Sequence, residues 1–198
     1  FDHVMLGLSD GRVIRFEVNN EQMRPTGRLT SGVRAVRLVD NAKVLSLMVV
    51  PGTGETCPKK NILVDKEVDG QVQPVEMEVI DTSVIDEGRF LLCVGQNGVG
   101  KRTPIVEYSP QNRAGQGVMG FNINKKTGPI VCMQLVTMDN DVVLTTQSKT
   151  NRIRVKDIRQ TGRITAGTYI MDTAGEVVMD VALVPAAPED DAAQGDAS

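Results

Sequence analysis

The sequence predicts an all-β fold of propeller type, built from about three four-stranded blades. Three observations predict it. One pattern recurs three times along the chain, its period falls in the propeller-blade range, and apolar residues alternate with short period. No segment of the 198 residues sustains a 3.6-residue apolar rhythm for a dozen positions, so no long helix is expected.

The first repeat (1–50) opens on an apolar strand around Leu6 and Leu8, turns at Asp10-Gly11, and returns through Val13 to Arg15. A loop Arg28-x-x-x-Gly32 follows, and then the apolar strand Val44–Val50. In the second repeat (89–138) the same parts are Phe90–Val94, the turn Asn97-Gly98, Lys101-Arg102, Arg113-x-x-x-Gly117 and Ile130–Val136. The third (139–184) has Asp141–Thr146, Arg152 to Arg154, Arg163-x-x-x-Gly167 and Val177–Val184.

Spacing fixes the alignment. Arg15 to Arg102 is 87 residues and Arg102 to Arg154 is 52, whereas Arg28 to Arg113 is 85 and Arg113 to Arg163 is 50. Both pairs differ by 35, close to the 38 residues of 51–88. That stretch reads as an acidic, hairpin-like inter-blade insert, with Ile62–Val64, the turn Asp69-Gly70 and Val75-x-Met77-x-Val79. Without it the period is ~50 residues, as in propeller blades. Residues 185–198 are small and acidic and read as a disordered tail.

Net charge is −3, and its distribution matters more than its sum. Residues 1–50 carry +2 and 89–184 carry +5, against −6 in the insert and −4 in the tail. Basic repeats masked by acidic appendages point to a polyanion partner. A flexible acidic tail beside a basic rim would compete with that partner, so deleting 185–198 is expected to strengthen binding at low salt.

Composition excludes several classes. Cys57, Cys93 and Cys132 form neither a disulfide framework nor a Cys-x-x-Cys pair, which favours a reducing compartment. With His3 they share no zinc-ligand spacing, so neither a metal site nor a catalytic residue is expected. Two Tyr, four Phe and no Trp argue against single-strand binding by base stacking, and no apolar run is long enough for a membrane helix. The run Gly95–Arg102 approaches a P-loop, but Arg102 stands where Ser or Thr must ligate Mg²⁺, so it reads as a turn. Met5, Met48, Met133 and Met179 read as core. Opening on Phe1 without an initiator Met, the chain reads as a piece of something longer.

The runs Met23–Val33, Gly98–Tyr108 and Gly162-Arg163-x-Thr165-x-Gly167 resemble the C-terminal domain of the DNA gyrase A protein. The resemblance spans roughly residues 3–184. Gln111–Gly117 resembles the family's Gln-basic-Arg-Gly-Gly-basic-Gly box. It keeps Gln111, Arg113, Gly115 and Gly117, with Asn112, Ala114 and Gln116 at the other positions. The resemblance implies half of a six-bladed β-pinwheel that wraps duplex DNA for a type II topoisomerase, gyrase rather than topoisomerase IV. It implies partnership with the rest of gyrase A and with gyrase B in a heterotetramer, in the bacterial cytoplasm at the nucleoid, without a membrane. ATP and Mg²⁺ would act on other parts of that complex, with no cofactor in this segment. The family's cleavage tyrosine has no counterpart here, and Tyr108 reads as a blade residue. A protein-interaction propeller is the competing reading.

A protein that bends DNA without reading sequence needs many phosphate contacts at similar radius, and a repeat supplies equivalent cations. The expected DNA-binding residues are therefore Arg15, Arg28, Lys101, Arg102, Arg113, Arg152, Arg154 and Arg163. Gly32, Gly115, Gly117 and Gly167 are expected to permit positive φ or close approach of a phosphate.

Overall fold

A computed structural model describes residues 2–52, 59–68, 71–80 and 88–186, the segments 59–68 and 71–80 by backbone course. The blades are built from β1 (His3–Leu8), β2 (Arg12–Glu17), β3 (Val44–Val50), β6 (Arg89–Gly95), β7 (Val99–Pro104), β8 (Val118–Met119), β9 (Ile130–Thr137), β10 (Asn140–Thr145), β11 (Thr150–Arg154), β12 (Thr168–Tyr169) and β13 (Asp180–Pro185). In each repeat the first strand is central. It forms a hairpin with the second strand and pairs on its other side with the last: β3-β1-β2, β9-β6-β7 and β13-β10-β11. The turns are tight. At the P-loop-like run, Gly98 N–H bonds back to Gly95 O at 3.1 Å and a strand follows, so this run is a hairpin turn.

The fourth strand does not belong to its own repeat. Val118 and Met119 of the second repeat pair with Val13 and Arg12 of the first. Thr168 and Tyr169 of the third pair with Gly100 and Val99 of the second. The blades are therefore not the contiguous stretches 1–50, 89–138 and 139–184, because each of the first two is completed by an arm from the next. Gly117 and Gly167 make this exchange possible. Both have positive φ, and a Cβ there would lie 2.6 Å from Val13 O and 2.5 Å from Gly100 O.

Each seam between blades has its own core. Along β6, Leu91 and Cys93 face the first blade and join Met5, Val13 and Met48, while Phe90, Leu92 and Val94 face the third and join Val142 and Leu144. A strand covered on both sides is apolar at every step, which explains the continuous run Phe90–Val94. Complete burial of Leu91 and Leu92 contributes about 1.5–3 kcal/mol each. Met5, Met48 and Met133 are core as expected, but Met179 is exposed.

The insert contains a two-stranded antiparallel sheet of its own, β4 (Lys59–Val68) with β5 (Gln71–Ile80). Its expected Asp69-Gly70 turn, Cys57 and tail residues 187–198 lie outside the described residues. The start of the expected tail belongs to the third blade. Pro185 ends β13, and Ala186 N–H bonds to Asp139 O at 3.0 Å.

Candidate nucleic-acid interface

The basic residues fall into two groups that sequence spacing does not separate. Arg15, Lys101 and Arg102 are buried at the seams. Arg15 Nε donates to His3 Nδ1 at 2.9 Å, and its Nη1 reaches Ile105 O and Tyr108 O, both at 3.3 Å, on the 3-10 turn of the next repeat. Arg102 repeats the arrangement. Its Nε donates to Ile158 O at 2.7 Å beside the turn Val155–Asp157, and its guanidinium lies 4.8 Å from the Phe90 ring centroid. These three residues correct the expectation of phosphate contacts, since a buried cation bonded to carbonyls presents nothing to a phosphate. They fasten each blade to the next.

Burial shapes their electrostatics. Desolvation, then the Arg15 guanidinium, lowers the His3 pKa from 6.5 to about 4, so His3 is the neutral acceptor that Arg15 requires. Desolvation likewise brings Lys101 down to about 8 and pushes the Cys93 thiol up to about 12, leaving it inert. Tyr108 is raised for the same leading reason and donates its hydroxyl to Gly120 O at 3.5 Å, a blade residue as expected.

The second group, Arg113 and Arg163, is half-buried where successive repeats meet, with the Arg113 Nε itself enclosed. Arg113 Nη1 donates to Arg34 O at 3.2 Å, and Arg163 Nη1 donates to Met119 O at 3.4 Å. Arg34 and Met119 each stand two residues after the loop glycine of their own repeat, so these two bonds are the same bond at successive junctions. At the first junction Ala114 N–H also bonds to Ala35 O and Arg37 N–H to Gly115 O, which brings Arg34, Arg37 and Arg113 together. At the second, Asn122 N–H bonds to Thr165 O, and Lys126 reaches Gly167 O at 3.4 Å and the Tyr169 ring at 5.1 Å. Sequence reasoning misses Arg34, Arg37 and Lys126 because their rim position depends on the strand exchange.

The remaining expected residues are scattered. Arg28 is exposed on a segment outside the described strands, Arg152 pairs with Asp141 at 2.7 Å, and Arg154 pairs with Asp157 at 2.8 Å. Gly32 has φ 72° with open space around it, while Gly115 has ordinary φ and the nearest contact of a Cβ at 3.5 Å. At Gly117 and Gly167 the close approach seen is to the backbone of the neighbouring strand. No metal-binding group of His, Cys, Asp and Glu occurs among the described residues.

The family model for the DNA gyrase C-terminal domain, beta-propeller, matches residues 2–51, 89–131 and 142–185. This chain belongs to that family. The match stops at the insert and resumes after it. The gyrase A protein of Rickettsia bellii is 28% identical over 96% of this chain, and that of Deinococcus deserti is 31% identical over 87%. The chain spans only about a fifth of these relatives, 22% and 18% of their lengths. A solved C-terminal domain of DNA topoisomerase IV shares the fold with a TM-score of 0.67, at 17% identity over 94% of this chain and 47% of that one.

Proposed function

We propose that this gyrase-family domain binds duplex DNA on its blade rim and bends it, as part of a gyrase A protein. The observation that carries the reading is the repeated junction bond. Arg113 and Arg163 are held by equivalent carbonyls at consecutive junctions, so cations recur at one structural position. Equivalent cations on successive blades suit a phosphate backbone that curves past them without base readout. The names of the relatives favour gyrase over topoisomerase IV, and with them partnership with the rest of gyrase A and gyrase B. Strand passage, with its ATP and Mg²⁺, belongs to other parts of that assembly, in the cytoplasm.

The test is binding to one duplex across a range of salt. Replacing Arg28, Arg113 and Arg163 together should flatten the slope of log affinity against log salt by up to about 2.7, at ~0.9 for each phosphate no longer neutralised. An unchanged slope in a folded triple variant refutes the assignment.

A further inference from the structure

One cation in the core has no counterpart in the other repeats. The position before Arg15, Arg102 and Arg154 is Ile14, Lys101 and Ile153 respectively. Ile14 is fully buried and lies beneath the 111–117 loop, its Cδ1 3.6 Å from where a Gly115 Cβ would stand. Lys101 is equally buried beneath the equivalent loop of the next repeat, but it holds that loop by hydrogen bonds. Its Nζ donates to Gly162 O at 2.8 Å, to Arg163 O at 2.7 Å and to Thr165 Oγ1 at 3.4 Å. Three acceptors for three donors saturate an ammonium. Taking an ammonium out of water is costly, and isoleucine serves the core in both sibling blades. The core therefore does not require the lysine, but the loop above it uses every donor it has.

We infer that Lys101 is a positioning residue whose ammonium fixes the 162–165 loop in the conformation that presents Arg163. From above, Glu107 Oε2 accepts the Arg163 N–H at 2.9 Å, so the Arg163 backbone is clamped through both its N–H and its C=O. The charged and titratable groups around Nζ are Cys93 on β6 and Glu107, with the Phe121 ring 5.9 Å away. An arginine cannot replace the lysine, because a planar fork does not place three donors on converging acceptors. The consequence for DNA rests on the proposed function, whereas the loop geometry does not.

Two measurements on the full chain separate these. In Lys101→Met, amide exchange of residues 161–167 should accelerate at least about tenfold while 111–117 stays as in wild type. Unchanged exchange at 161–167 overturns the inference. Should that variant not fold, the wild type is titrated from about pH 6.5 to 11, spanning the ordinary lysine range, by NMR. The Gly162, Arg163 and Thr165 resonances should follow the Lys101 Nζ midpoint, and a loop indifferent to the loss of that proton overturns it equally. On DNA, Lys101→Met and Arg163→Ala should not be additive, the double variant binding no more weakly than Arg163→Ala alone. Additive losses would give Lys101 an effect independent of the loop and overturn the inference. If wild type fails to bind duplex DNA, the proposed function falls, and the exchange and titration results still decide the role of Lys101.

Discussion

The seam between the first two blades and the outer edge of the third hold the same repeat residue in opposite environments. Arg15 is sealed at the seam, with its guanidinium on His3 and on two carbonyls of the following repeat. Arg154, its counterpart on β11, has a side chain 57% exposed and pairs with Asp157 three residues on. Arg102 behaves like Arg15, since the third repeat offers it Ile158 O. A repeated basic residue thus becomes structural where a following repeat packs over it, and stays at the surface on β11. Sequence equivalence does not carry equivalent function when burial depends on the neighbour.

Removing the sealed arginine should have the largest effect. Arg15→Ala leaves His3 Nδ1 and Tyr108 O without this donor, while Ile105 O keeps the Tyr108 N–H, and should cost about 2–6 kcal/mol, at ~1–3 for each of the two groups left unsatisfied. Arg102→Ala should cost about 2–3 kcal/mol through Ile158 O and the Phe90 contact. Urea unfolding with an unchanged m-value measures both. A loss below about 1 kcal/mol for Arg15→Ala would show that water replaces the guanidinium easily and would undo the contrast with Arg154.

Acid should attack the same seam from the other partner. The folded-state pKa of His3, about 4, lies below its ordinary 6.5, so the unfolded chain binds more protons between these values. The stability that His3 supplies is therefore complete above about pH 6.5 and drains away as pH falls toward 4, up to about 3 kcal/mol in all. His3→Asn should remove this part of the pH dependence. If wild type and variant lose stability in parallel from pH 7 to 4.5, the Arg15–His3 bond is not the acid-sensitive element.

The exchanged arms allow a finer test. Gly117→Ala sets a Cβ against Val13 O at a left-handed φ and should cost about 2–3 kcal/mol. Ala114, three residues earlier in the box, already sits at φ 65°. Ala114→Gly should therefore stabilise the domain by about 0.5–1 kcal/mol by relieving left-handed strain. Equal effects at the two positions, followed by thermal unfolding, would mean that arm docking and not backbone conformation governs both.

Much of this was legible in the sequence, and what escaped it has a common physical cause. The repeat spacing located the blade strands, the hairpin turns and the insert, because periodicity and turn chemistry are local signals. The strand exchange was not legible. Val118-Met119 and Thr168-Tyr169 are two-residue strands, and their sequence is the same whichever blade accepts them. That one non-local choice buries Lys101 beneath its loop and moves Arg34, Arg37 and Lys126 to the rim. A local signal did exist for Arg15, since it stands among Val13, Ile14 and Phe16 in a strand with apolar residues on both faces. A charge in such a run is more plausibly a satisfied core group than a surface contact.

The smallest expected effect is the one that most directly tests the comparison. Arg154 shares its repeat position with Arg15 and Arg102, so repeat equivalence alone would give all three substitutions similar costs. The environment argues otherwise. Its partner Asp157 is itself 49% exposed, the pair is short-range along the chain, and solvent screens it. Arg154→Ala should therefore change stability by no more than about 0.5 kcal/mol, against several for Arg15→Ala in the same buffer. Raising salt should leave the Arg15→Ala loss nearly intact and erase what remains at Arg154, since screening reaches exposed pairs far more than buried ones. A loss of about 2 kcal/mol or more at Arg154, in the range of a sealed arginine, would mean that the third blade presses its arginine into service as a seam residue after all, and that burial does not decide the role of this repeat position.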